Sequence, residues 1–208
     1  MNNTMKKLRA VLALAILALP MSLIAQDHPH GNMNHEKNGM NHEKNNMSHD
    51  NNMTHNDGEM MHYEVGTDFQ SQLNEVYQAS LALNNAFVAG DASKAKTYAA
   101  TMSNKMNNVD MSLLKGDAHM AWMGHMKLIN SGLTAISVSN DIAEQRTSFA
   151  GVSDGLYKSI KSFGVGETVY YHFCPMKKSS WLTNSEEIKN PYFGSMMLTC
   201  GSTKEVIN

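Results

Sequence analysis

The 208-residue sequence predicts a mainly α-helical protein: an antiparallel four-helix bundle with a short β or irregular C-terminal appendage, preceded by a disordered tail. Three observations carry that prediction. Apolar residues between Phe69 and Phe163 recur at helical spacing. Glycine followed by aspartate, or a lone asparagine, breaks the pattern at short intervals. Residues 26–64 show no such periodicity.

The first 25 residues read as an export signal, with Lys6, Lys7 and Arg9 ahead of the apolar run Ala10 to Leu19 and a small residue, Ala25, for cleavage. The expected product is periplasmic or secreted. The apolar run is short for a membrane anchor, and no cysteine stands at the cleavage point to take a lipid.

Residues 26–64 hold Met33-Asn34-His35, Met40-Asn41-His42, Met47-Ser48-His49, Met53-Thr54-His55 and Met60-Met61-His62, at steps of seven, seven, six and seven residues. A coiled coil is excluded because Asn, Gly, Ser and Asp fill the intervening positions and leave no apolar seam. Disorder is the expectation. In an extended chain the Met and His of each unit project to the same side, so a thioether and an imidazole can close on one ion. Thioether selects Cu(I), imidazole accepts copper in either oxidation state, and silver(I) competes for the same reason. A polar spacer grown by repeat duplication is the alternative, but exposed methionines oxidise in an exported protein, which favours a ligand role. Cleavage after Ala25 would also leave His28 third in the mature chain, where amine, amides and imidazole can make a square-planar Cu(II) site.

From residue 65 to 208 one core is expected, since a chain of this size buries roughly 70% of its unfolded surface. Phe69, Leu73, Val76, Leu83 and Phe87 line a first helix that Gly90 stops and Asp91 follows as a new cap. The second helix, about Ala92 to Val109, buries Tyr98, Met102, Met106 and Val109. Gly116-Asp117 repeats the signal before a third helix from about Ala118 to Ser137. Asn140 is the expected cap of a fourth, striped by Ile142, Phe149, Val152, Leu156, Ile160 and Phe163. On the third helix His119, Met123 and Met126 share one arc and can chelate a soft ion. The same arc holds Trp122 and Leu133, so core packing is the competing reading. His125 and Met120 point elsewhere and are expected to be exposed.

After Gly164 and Gly166, "ETVYYHFCPM" alternates as a strand, with His172 and Cys174 on one face and Met176 continuing it. Cys174 and Cys200 are the only cysteines. In an exported protein a disulfide is the default, contributing roughly 3–4 kcal/mol on a loop-entropy model. If the chain instead brings Cys200 back to Cys174 as a thiol, then His172, Cys174, Met176 and Cys200 make a set suited to Cu(I) and poorly suited to zinc.

"YHFCPM", "WL", "IKNPYFGSMMLTCG" and "LKGDAHMAW" resemble a bacterial domain of unknown function, found alone in small exported proteins and at the C-terminus of periplasmic adaptor subunits of heavy-metal efflux systems of the resistance-nodulation-division type. The resemblance runs from about Val65 to Gly201. Its matching positions are Cys174, Pro175, Met176, Trp181, Leu182, Asn190, Pro191, Tyr192, Gly194, Met197, Cys200 and Gly201, with His119 and Trp122 upstream. It implies association with copper or silver efflux, with an efflux adaptor as a partner and Met197 as a further ligand. The long hairpin and barrel segments of an adaptor are absent, so a free-standing metal chaperone or buffer fits better than a pump subunit.

Other classes are disfavoured. Net charge is -2 and no basic patch interleaves with aromatics, which argues against nucleic acid. No Cys-x-x-Cys, nucleophile motif or phosphate loop points to an enzyme, and multicopper oxidase chemistry needs more folded-domain histidines than His119, His125 and His172. The remaining alternative is a disulfide-stapled helical module that docks on an efflux component with no folded metal site of its own.

Overall fold

The computed structural model describes residues 60–208. The export signal, His28 and the tail units from Met33 to His55 lie outside the described residues. Four helices come first: α1 (Thr67–Ala89), α2 (Ala92–Asn107), α3 (Gly116–Val138) and α4 (Ile142–Phe163). Three strands follow, β1 (Val169–Cys174), β2 (Ser179–Thr183) and β3 (Ser202–Ile207). They form one antiparallel sheet in the order β2-β1-β3.

The helix boundaries follow capping chemistry, with corrections. Gly90 takes φ +72° and its N–H returns to Ala86 and Phe87 carbonyls, closing α1. Asp91 then caps α2 by accepting from the Lys94 N–H at 2.9 Å. The cap of α4 is Asp141, which accepts from the Ala143 N–H at 2.7 Å. Asn140, the expected cap, instead accepts from Lys96 Nζ at 2.8 Å. The third helix starts earlier than expected, at Gly116, with Asp117 in its first turn and not at its cap. Val109 is buried but lies beyond the end of α2, and Tyr98 is only half-buried.

Burial follows the predicted stripes. Phe69, Leu73, Val76, Leu83 and Phe87 of α1 meet Trp122, Ile129 and Leu133 of α3 and Phe149, Val152, Leu156, Ile160 and Phe163 of α4 in one core. Close approach of α3 and α4 depends on two glycines. A Cβ at Gly132 would lie 2.6 Å from a Val152 methyl and 2.8 Å from the Ser148 carbonyl, and one at Gly155 would lie 2.7 Å from Ile129.

The sheet is fastened to α4. Tyr157 stacks on Tyr171 with centroids 4.0 Å apart and donates to Glu205 at 2.8 Å, while Lys161 pairs with the same carboxylate at 2.6 Å. The sequence pattern predicts one strand here; β2 and β3 are additions, and β3 shows why. Its residues alternate exposed and half-buried, and four of the six, Ser202 to Glu205, are polar, so no apolar periodicity marks it.

Two histidines are held inside, and one corrects an expectation. His125 is half-buried against Phe163, at 6.0 Å between ring centroids, with Nδ1 buried and unpartnered. Burial, then the nearby Lys158 charge, lowers its pKa from 6.5 despite Asp154. His172 is fully buried and its pKa is lowered too, by burial that outweighs the Ser185 carbonyl and Glu186. Both rings favour the neutral form when folded, so the unfolded chain takes up protons first as pH falls. Their contribution is complete above about pH 6.5 and is lost below it, whereas the ion pair at Glu205, whose pKa is lowered from 4.5, weakens only in more acid solution. Melting temperature is therefore expected to fall between pH 7.5 and 5, and the fall to flatten in a His125→Gln/His172→Gln double variant. Equal slopes would contradict this.

Candidate functional site

A thiol pair at the end of the sheet is the most developed chemical feature of the described residues. Cys174 ends β1 opposite Ser179 of β2, and Pro175 to Lys178 closes the hairpin. Lys178 takes φ +55° and its N–H donates to the Cys174 carbonyl at 2.8 Å. That curl keeps the turn residues Met176 and Lys177 beside Cys174. Met176 therefore sits in the turn and does not continue the strand, and it is 68% exposed.

Cys200 arrives from the other side. Phe173 is in register with Ser202 of β3, which sets the chain just before β3 alongside Cys174. The two Sγ atoms are 3.0 Å apart, and both cysteines are free. Gly201 makes the approach possible: its φ is +147°, and a Cβ there would fall 2.7 Å from the Trp181 ring and 3.1 Å from the Phe173 carbonyl.

Asn190 holds this corner together. Fully buried, it donates from Nδ2 to the Cys200 carbonyl at 2.6 Å and accepts at Oδ1 from the N–H groups of Tyr192 (2.8 Å) and Phe193 (3.2 Å). Tyr192 in turn donates to the Ser180 carbonyl at 2.6 Å and packs against Trp181. Each hydrogen bond satisfies a polar group that burial would otherwise penalise by about 1–3 kcal/mol.

The two thiols are not equivalent. Burial works against a Cys174 thiolate, but donation from Cys200, the Lys177 N–H, Asn190 and the Met176 N–H outweighs it and lowers the pKa from 9.0. The Cys200 pKa is raised, first because its S–H is held by Cys174 and then by burial. The pair loses its first proton readily and its second reluctantly, an arrangement in which a soft cation can take the proton's place. Taking an ion between them requires the two sulfurs to part from their 3.0 Å separation.

The other sequence-derived ligands distribute as follows. His172 shares a face with Cys174, but both its nitrogens are engaged: Nδ1 lies 3.1 Å from Thr203 Oγ1, and Nε2 lies 2.7 Å from Thr183 Oγ1 and 3.1 Å from the Ser185 carbonyl. It is a structural histidine between β2 and β3. Met197 is 39% exposed and its carbonyl accepts from the Cys200 N–H at 3.1 Å. On α3 the expected arc divides: Trp122 is buried, Met126 half-buried against the core, Met123 exposed, and half-buried His119 places Nδ1 3.4 Å from the Met111 carbonyl. The last tail unit is docked on α4, where the Tyr63 N–H donates to the Ser162 carbonyl at 2.7 Å and Tyr63 stacks on Phe163. Met60 is half-buried there, and His62 is exposed beside Glu64, 3.8 Å away. Among the described residues no three or more of His, Cys, Asp and Glu gather closely enough to share an ion. None of their helices is long and apolar enough to cross a membrane.

Sequence reasoning names Asn190 and Gly201 only as positions of the resemblance and gives them no role, and it misses the hairpin turn that ends beside the thiols. The available signals are the turn dipeptide Asn190-Pro191 and the single Pro175 and Gly201 that follow the two cysteines.

Residues 76–168 match a family model described as a protein of unknown function (DUF3347). The match runs from within α1 to the residue before β1 and stops short of the thiol pair. It shows a domain of unknown function over that stretch. No curated protein and no solved structure matches the chain.

Proposed function

We propose that the protein is an exported, non-catalytic carrier of Cu(I), with Ag(I) as a competing ion, serving as a chaperone or buffer in copper resistance. The observation that carries this reading is the fivefold Met-x-His series, whose matched thioether and imidazole donors suit a soft monovalent ion. The tail collects copper in weak, exchanging sites, and the Cys174/Cys200 pair is a tighter second station. The helices, joined by short connections, are read as an antiparallel bundle that presents the sheet corner. The motif resemblance to efflux adaptors makes such an adaptor the proposed recipient.

A second reading is supported by the 3.0 Å sulfur separation: oxidised to a disulfide, the pair would staple a docking module and leave the tail as the metal site. A Cu(I) titration against a chromophoric chelator, anaerobic and on the reduced full chain, separates the two. The carrier reading expects the weaker equivalents to vanish when the five units are changed to Leu and Gln. It expects a tighter one to weaken at least about 100-fold in Cys174→Ser/Cys200→Ser. Copper uptake that ignores the cysteines would leave the docking module.

A further inference from the structure

We propose that the Cys174/Cys200 pair also reduces Cu(II), two ions per chain, and passes the Cu(I) formed to thioethers at its rim. This rests on the copper reading above. Three methionines on the two segments that carry the thiols have side chains open to solvent: Met176, in the turn after Cys174, at 68%, and Met196 and Met197, shortly before half-buried Cys200, at 75% and 39% exposure. Met176 lies in the hairpin turn that follows Cys174, and the carbonyl of Met197 accepts from the Cys200 N–H at 3.1 Å. Methionines filling a core would be covered, as Met102 and Met106 are. These are not.

Thioethers bind Cu(I) well and Cu(II) poorly, so a methionine rim favours the reduced product. The sulfurs supply the electrons. In the balanced step two thiols and two Cu(II) give the Cys174–Cys200 disulfide, two Cu(I) and two protons. Both S–H bonds break, the S–S bond forms, each copper gains one electron, and the protons pass to solvent. Cys200 is the sulfur that Cu(II) reaches first. Cys174, 3.0 Å behind it, is positioned to close the disulfide without a chain search, the advantage that proximity gives an intramolecular step. The pair then stops, its two electrons spent.

The test adds two equivalents of cupric sulfate to the reduced full chain under argon and follows the Cu(II) paramagnetic signal together with the thiol count. Expected are loss of the signal from both equivalents, loss of both thiols, and a 174–200 linkage by peptide mapping. Cys174→Ser/Cys200→Ser should keep the signal. Because that variant alters a buried corner, a Met176→Leu/Met196→Leu/Met197→Leu protein, changed only at exposed positions, serves as the second arm and should react at least about tenfold more slowly. An undiminished Cu(II) signal with both thiols intact would overturn the proposal, as would an unchanged rate in the triple leucine protein. A chain that holds Cu(I) but leaves Cu(II) untouched loses this inference alone. One that reduces Cu(II) but retains no Cu(I) keeps it and loses the carrier reading.

Discussion

Trp122→Ala is expected to cost about 3–5 kcal/mol of stability, the largest loss from any single truncation of the helical core. Trp122 is fully buried at the meeting of α1, α3 and α4, edge-on to Phe69 at 5.4 Å and near Phe163 at 6.3 Å. Removing the indole leaves a cavity that three helices cannot collapse together to fill. The indole N–H has no hydrogen-bond partner in its buried position, so Trp122→Phe removes an unsatisfied donor while keeping most of the aromatic contact. Its expected cost is less than half that of the alanine variant. Urea denaturation of the full chain measures both, and equal losses would show that packing at this position is not what holds the bundle.

Gly201→Ala is expected to cost about 1–3 kcal/mol, from overpacking and a backbone angle unfavourable to a side chain. The new methyl would meet the buried Trp181 ring and the Phe173 carbonyl. Neither can yield freely, because Trp181 is fully buried and Phe173 is paired on both sides, with Ser180 and Ser202. The chain carrying Cys200 must therefore shift, and the two sulfurs separate. Besides a lower urea midpoint, the variant should form the 174–200 disulfide more slowly under a mild thiol oxidant. A disulfide rate equal to that of the unchanged protein would mean that Gly201 does not set the sulfur separation.

The helices were legible because their cores are built from one-sided apolar stripes, and two of the three helix junctions carried readable glycine signals. Cap positions differ by a residue or two: Asn140 and Asp141 are both good caps, and Asp141 takes the role while Asn140 accepts from Lys96, whereas α3 starts after Lys115 with no side-chain cap. His125 was misplaced because helical angle alone ignores what a neighbouring helix brings. Phe163 reaches it from α4, a contact about forty residues away in sequence.

The sheet was half legible. Alternation in β1 put His172 and Cys174 on one face, but alternation cannot say which neighbours occupy that face. Thr183 and Thr203, from the two flanking strands, take up the imidazole, so His172 supports the sheet while Cys174 turns to Cys200. The pairing of the cysteines is open in sequence because it depends on β3, whose polar alternation hides it, and on Gly201, whose neighbours Trp181 and Phe173 are 20 and 28 residues away.

The most direct test of the central claim is uptake of Cu(I) by the reduced full chain in anaerobic competition with a chromophoric chelator. A carrier built from five Met-x-His units and a thiol pair is predicted to draw several equivalents from the chelator, with one distinctly tighter than the rest. No uptake above the chelator-only baseline would contradict it.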